Sequence, residues 1–467
     1  MRKLLLTLLL AAPAALLSAQ SADGGITPDM LTQLRRANTP TATDRALRNA
    51  LATTSINQLA TTAGNPDATD TYFSDEVPSK GITDQKSSGR CWLFTGLNVL
   101  RAEMQHRYGL GDFRFSQSYN FFYDQLEKCN LFLQATIDNA RRPMDDKLVD
   151  WLFQNPLSDG GTFCGVIDAV SKYGLVPAEV MPESYNAENT ARMSAILQLK
   201  LREWGLTLRK AVADGEKPAR LRQRKAEMLA TAWHILAVSL GEPPTEFTYA
   251  MKDAQGRPVG QPKKYTPKQF YEEYLGRDLR TSYVMLMNDP SRPYHKTYTI
   301  DLDRHSYDGM QWTYINLPID EIKPLAVASI KDTTMMYFSC DVGKQLDTKT
   351  GILSLRNYDY ASLFSTTFPM TKAERIATHA SASSHAMTLV AVDIDPATGK
   401  TNKWKVQNSW GAASGQQGHL IMTDEWFDEY MFRLVVDKKY VPESILSLLK
   451  QKPTVLPAWD PLFAPEE

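Results

Sequence analysis

Apolar residues at Leu93, Leu97, Leu100 and Met104 recur at i, i+4, i+7 and i+11, while Asn98, Arg101 and Gln105 fall on the opposite side. This spacing predicts one amphipathic helix with a polar face, and Gly109 supplies its stop. The helix opens at Cys91, directly after the polar turn Gln85-Lys86-Ser87-Ser88-Gly89-Arg90. Beyond it, Ser116 reads as the N-cap of a long helix to about Asn139, 143–153 offers another, and a helix after Gly160-Gly161 ends at Gly174. Residues 23–75 carry a helical pattern around Met30 to Leu34 and Ala46 to Leu51, and the stretch from about Pro182 to Gly241 is strongly helical. From Phe247 to Trp312 the pattern turns strand- and turn-like, with scattered Gly, Pro and Tyr. Met335 to Cys340 reads as a buried strand, His385 opens an apolar run through Val392, and Asn408 closes another.

The chemistry enters at Cys91. A cysteine in the first turn of a helix feels the positive end of the macrodipole and unpaired N–H groups, and both favour the thiolate that nucleophilic sulfur requires. A lone Cys is more often a small buried hydrophobe. Its company changes that reading. Gln85 lies six residues upstream, where its amide can turn back beside the sulfur and donate to an oxyanion. Far downstream are Ser384-His385-Ala386-Met387-Thr388 and Val406-Gln407-Asn408-Ser409-Trp410-Gly411. His385 would take the thiol proton and return it to a leaving amine, and Asn408 would hold the imidazole in the productive tautomer. Trp410 would cover that bond with its indole face. The other histidines, His106, His234, His295, His305, His379 and His419, show no metal-ligand spacing, and this chemistry needs no metal or organic cofactor.

Composition adds little, since 43% hydrophobic and 22% charged residues suit many soluble enzymes of 467 residues. The formal net charge of -1 marks no nucleic-acid binder. The first residues do change the picture. Arg2-Lys3, an apolar run from Leu4 to Leu17 and Ser18-Ala19 read as a secretory signal peptide over 1–19, and the run is short for a span of roughly 20 residues. The expectation is an exported protein, periplasmic or secreted, with no membrane attachment once the leader is gone. Cys91, Cys129, Cys164 and Cys340 are too few for a disulfide framework. Cys164 and Cys340 read as core residues, and a reactive Cys91 in an exported protein calls either for a reducing or anaerobic destination or for shielding by the fold or assembly.

Taken together, these motifs resemble the bleomycin hydrolase and aminopeptidase C branch of the papain-like cysteine peptidases. The likeness includes Val77-Pro78-Ser79-Lys80-Gly81, the Gln85–Phe94 run with Trp92 after the nucleophile, Ser118-Tyr119 and Asp159-Gly160-Gly161. It continues through Ser339-Cys340-Asp341-Val342-Gly343-Lys344, Met422-Thr423-Asp424-Glu425-Trp426-Phe427 and Leu456-Pro457-Ala458-Trp459-Asp460-Pro461. The resemblance implies an α+β fold, a helical half plus a β-barrel-like half with a large insertion. His385 comes about 290 residues after Cys91, against roughly 130–150 in the papain pattern, so something like 150 residues leave and rejoin the core.

On that basis 20–181 is expected as the first part of the core, 182–245 as a helical insert and 246–328 as a hook region. The core would resume over 329–452, and 453–467 would form a C-terminal arm. The resemblance further implies that Gly160 and Gly161 form the ledge for an extended substrate backbone, with Trp92 in support. It implies that the arm lies in the cleft, with the terminal carboxylate at Glu467 gripping the substrate's α-amine. Six subunits would close into a barrel around peptide substrates. The expected activity is that of a cysteine aminopeptidase on peptides and small amides. An exported endopeptidase or oligopeptidase without the tail gate, and a non-catalytic peptide-sequestering assembly, are the alternatives.

Overall fold

A computed structural model describes residues 24–67 and 70–461, so the leader at 1–19 and the terminal Glu467 lie outside the described residues. The chain divides at Thr61/Thr62 into two compact units, whereas 20–181 was expected as one piece. In the first unit the two expected helices form at Pro28–Ala37 and Ala42–Leu51. Each starts on a threonine whose hydroxyl accepts an amide of the first turn, and neither buries a residue. Their order therefore owes more to caps than to a core.

The second unit is built on a mixed sheet. Among the described residues, twelve strands join in it. From one edge the order is Thr454–Leu456, Lys296–Ile300, Tyr314–Asn316, Tyr283–Met287, Met431–Asp437, Met336–Cys340, His385–Ile394, Thr401–Gln407, His419–Thr423, Ile352–Leu353 and Leu346–Asp347, with Asp75–Glu76 pairing onto the His385 strand. The central strands Tyr283–Met287 and Met336–Cys340 are buried at every position, as strands covered on both faces must be. This topology redraws one expected boundary. Residues 246–328 do not stand apart as a hook region, because three strands between Tyr283 and Asn316 lie inside the main sheet, beside Met431–Asp437. Among the described residues, only the hairpin of Phe247–Tyr249 with Lys263–Tyr265 forms a separate sheet. The strand-like pattern of Phe247 to Trp312 agrees with Tyr283–Met287 and Lys296–Ile300 but carries no sign of which sheet they join.

Helices pack on the sheet and on one another. The long helix Gln117–Asp138 starts on Ser116, whose hydroxyl accepts the Tyr119 amide. Ala191–Ala213 and Pro218–Leu240 pack against it. Basic residues on these two helices find local acidic partners. Lys210 pairs with Asp214 at 2.8 Å and Arg224 with Glu216 at 2.9 Å.

The helix Cys91–Tyr108 ends on Gly109 at φ 62°, the left-handed cap that glycine favours. Its expected polar face is not exposed. Asn98, Arg101 and Gln105 are buried with the apolar stripe, because the segment 80–83 runs across that face and needs hydrogen-bond partners. The Asn98 amide donates to Thr83 Oγ1 at 3.0 Å, Arg101 to the Gly81 carbonyl at 2.8 Å and Gln105 to the Lys80 carbonyl at 2.9 Å. A buried polar side chain is tolerated when its hydrogen bonds are made.

Candidate active site

Antiparallel pairing brings distant residues to one end of the sheet. Thr388 faces Gln407, so the start of the His385 strand and the end of the Thr401–Gln407 strand lie together. The helix that begins at Cys91 packs on the His385 strand. A second pairing adds the glutamine. Gln85 N–H donates to the Ser409 carbonyl at 2.8 Å, and Gly411 N–H donates to the Thr83 carbonyl at 3.1 Å, which lays 83–85 along 409–411.

Side-chain bonds then connect the group. His385 Nε2 lies 2.8 Å from Asn408 Oδ1, and the Ser409 amide also donates to that oxygen at 2.7 Å. The second bond fixes the orientation of the amide, since a flipped Asn408 would set its NH2 against the Ser409 N–H. With Oδ1 facing the ring, Nε2 carries the hydrogen and Nδ1 keeps the lone pair. Trp410 covers the pair, its ring centroid 4.8 Å from that of His385 at an interplanar angle of 32°. Gln85 Nε2 donates to the Ser88 carbonyl at 2.7 Å, while its Oε1 accepts the Ser409 hydroxyl at 2.6 Å. The amide is thereby oriented at both atoms, with one N–H left over for a ligand. Ser409, which the sequence reading passed over, links the Asn408 and Gln85 amides.

Cys91 is fully buried at the helix N-terminus. Arg90 precedes it but its side chain caps nothing. The guanidinium turns away to Ser88 Oγ at 3.0 Å and Glu183 at 2.6 Å, between the rings of Phe94 and Phe121. The positive end of the helix is left to the thiol. All four cysteines are buried, and none is in a disulfide. Burial pushes the Cys129 thiol up to about 12 and raises Cys164 well above its ordinary range.

The structure also holds a cavity of about 670 Å³, whose lining includes none of Cys91, His385, Asn408 and Gln85. Gly160 and Gly161 form part of one wall, His379 and Ala382 come from the loop before His385, and Ala458 to Pro461 supply another wall. The chain leading to Ala458 is held by parallel pairing of Thr454–Leu456 with Tyr298 to Ile300. That wall is pinned by Asp460, whose carboxylate meets Arg292 at 2.7 and 2.8 Å. Trp92 supports the glycines from behind, donating its indole N–H to the Asp159 carbonyl at 2.7 Å. A further buried cluster, Asp124 with His305 and Lys128, lies behind the same wall. Sequence reading set His305 aside because only metal spacing was sought.

The Peptidase C1-like family model matches residues 25–463. The bleomycin hydrolase of Mus musculus is 42% identical over 404 residues, which cover 84% of this chain and 88% of that one. The aminopeptidase C of Lactobacillus delbrueckii subsp. lactis is 37% identical, covering 85% and 88%. Among solved structures, PepW from Lactobacillus rhamnosis HN001 superposes with a TM-score of 0.90 at 36% identity, over 95% of this chain and 100% of that chain. The Cys91–Tyr108 helix, the strand that opens at His385 and the strand that ends before Asn408 thus accompany a match along nearly the whole sequence, and the chain belongs to the Peptidase C1-like family.

Proposed function

We propose that the protein is a cysteine aminopeptidase that removes N-terminal residues from peptides, with Cys91, His385, Asn408 and Gln85 as its catalytic set. The observation that carries this reading is the bond from His385 Nε2 to Asn408, which leaves Nδ1 as the proton acceptor. His385 takes the Cys91 proton, and the sulfur attacks the carbonyl carbon of the scissile amide. The oxyanion accepts hydrogen bonds from the Cys91 backbone N–H and the remaining Gln85 N–H. The C–N bond then breaks, His385 returns its proton to the leaving amine, and water cleaves the thioester. Positioned acid–base transfer contributes about 10²–10⁴-fold, and each oxyanion donor about 10²–10³-fold.

Restriction to the N-terminal residue is supported by the arm that walls the cavity at Ala458 to Pro461. Beyond it, the carboxylate at Glu467 would meet the substrate's α-amine. Gly160 and Gly161 would form the ledge for the peptide backbone. Export is supported by the leader pattern, and N-terminal sequencing of the mature protein tests it. A homohexamer rests on resemblance to the branch, and light scattering of the mature protein tests it.

The decisive assay compares a fluorogenic aminoacyl amide with its N-blocked counterpart, under reductant, in wild type and Cys91→Ala. Hydrolysis of only the free-amine substrate, lost in Cys91→Ala, is the expected outcome. Equal hydrolysis of the blocked substrate would make the enzyme an endopeptidase. No Cys91-dependent turnover across a panel of side chains would leave a peptide-binding assembly.

A further inference from the structure

Asp124 and Lys128 sit one turn apart on the helix Gln117–Asp138, so both point from the same face. Asp124 Oδ1 lies 2.5 Å from His305 Nδ1, and its Oδ2 lies 2.9 Å from Lys128 Nζ. Burial would raise this carboxyl, yet the Lys128 ammonium and the hydrogen bonds from Lys128 and His305 hold it below the ordinary carboxylate range. A buried aspartate with both oxygens committed is a rigid anchor.

The anchor's two partners grip one short segment from opposite sides. Lys128 Nζ donates to the Gly160 carbonyl at 2.6 Å and to the Ser158 carbonyl at 3.0 Å. His305 Nε2 accepts the Thr162 N–H in a long bond of 3.4 Å, which requires the neutral ring with its hydrogen on Nδ1, toward Asp124. The ring also packs edge-on against Trp92, with centroids 4.7 Å apart. A Cβ built on Gly161 would come within 2.2 Å of His305 Cε1 and 2.8 Å of the Trp92 ring. This close packing, as much as any approach of a substrate, requires glycine at 161.

We propose that Asp124, His305 and Lys128 form a positioning cluster for peptide substrate. They hold the Gly160–Thr162 segment flush with the cavity wall so that a peptide backbone docks on it, and they set substrate affinity rather than the rate of bond cleavage. The inference rests on the peptidase reading for the identity of the ligand. Its separate content is that a His–Asp pair outside the catalytic set controls how tightly the peptide is held. Gly161 and Lys128 face the cavity, whereas Asp124 touches neither substrate nor nucleophile and acts only through its two partners.

The test uses His305→Asn, which keeps an amide near Nδ1 for Asp124 but loses the Nε2 acceptor and the ring behind Gly161. His305→Gln, which can offer an amide oxygen near the position of Nε2, is the rescue variant. For the free-amine aminoacyl amide, His305→Asn should raise KM about 10-fold with kcat within about 2-fold of wild type, and His305→Gln should recover most of the loss. In the Cys91→Ala background, calorimetric Kd for an uncleaved peptide should weaken by the same factor.

Unchanged KM and Kd in a folded His305→Asn protein would overturn the proposal, as would a fall in kcat at constant KM. Failure of the peptide to bind Cys91→Ala protein at all would overturn it too. If His305→Asn does not fold, Asp124→Asn is read by the same two constants. Should the wild type bind peptide without cleaving it, the peptidase reading fails while the Kd comparison still decides the role of the cluster.

Discussion

At the scale of single residues, the site depends on fixed amide orientations. Asn408→Ala removes the acceptor for His385 Nε2 and leaves that N–H buried without a partner. Such a loss costs about 1–3 kcal/mol, so kcat should fall about 10- to 100-fold with KM little changed. Gln85→Ala should lower kcat by about 10²–10³-fold through loss of an oxyanion donor, with the fold intact by thermal melting. Thiol chemistry gives a further check. With Cys129 and Cys164 held protonated by burial, iodoacetamide at neutral pH should label native protein at Cys91 and spare those two, as read by peptide mass. Labelling of Cys129 at a comparable rate would contradict the helix-terminus account of reactivity. Cys91, His385, Asn408 and Gln85 were named as candidates from the sequence because each residue type has one evident task in the proposed acyl transfer. Ser409 was not, since its contribution is a backbone N–H and a hydroxyl whose partners appear only when 83–85 lies beside 409–411. His305 was hidden differently, 181 residues from the aspartate that gives it a role.

Elements were legible where periodicity and caps agreed. Ser116, Gly109 and Gly174 punctuate helices where expected. The polar side of the nucleophile helix was misread because residue pattern cannot distinguish a face turned to water from one turned to a hydrogen-bonding segment. That helix is also fixed by close approach, since a Cβ on Gly96 would meet Val166 Cγ2 at 2.5 Å. Gly96→Ala should therefore destabilise the protein by about 1–3 kcal/mol and shift the nucleophile enough to lower kcat, both read on the same preparation.

The short helix Lys372–Ala377, before the loop that leads to His385, has a buried ammonium. Lys372 Nζ donates to Asn288 Oδ1 at 2.6 Å and to the carbonyls of Asp428 at 3.0 Å and Met431 at 2.5 Å. Burial lowers its pKa from 10.5 to about 7. Between those values the unfolded chain holds a proton that the folded chain has released, so this residue's contribution to stability rises with pH across the window. Below about pH 7 both states are protonated and the cost of the buried charge is fully present. Relative to Lys372→Met, wild type should gain up to about 1.4 kcal/mol per pH unit between pH 7 and 9 in denaturant titrations. A flat difference would mean that the three acceptors keep the amine charged throughout.

For the whole molecule, selectivity turns on whether the arm closes one end of the cavity. Two fastenings act in series. The strand Thr454–Leu456 adds to the sheet edge, and Asp460 then locks onto Arg292, itself paired with Asp289. Asp460→Asn weakens only the second fastening. It keeps the shape of the side chain and leaves Arg292 with a carboxylate, so the sheet should survive and the melting temperature should change little. The segment from Ala458 to Pro461 would then be free to leave the wall it forms. The expected result is a rise of about 10-fold or more in kcat/KM for an N-blocked peptide, with a fall for the free-amine substrate, since the terminal carboxylate proposed to meet the α-amine would no longer be held in place. Removing residues 454–467 should push both changes further in the same direction. If both proteins retain full preference for the free amine, the arm only packs against the cavity and the N-terminal restriction must come from the wall at Gly160 and Gly161. Opposite responses of blocked and free substrates would assign the selectivity to the arm, because general loosening of the site would depress both together.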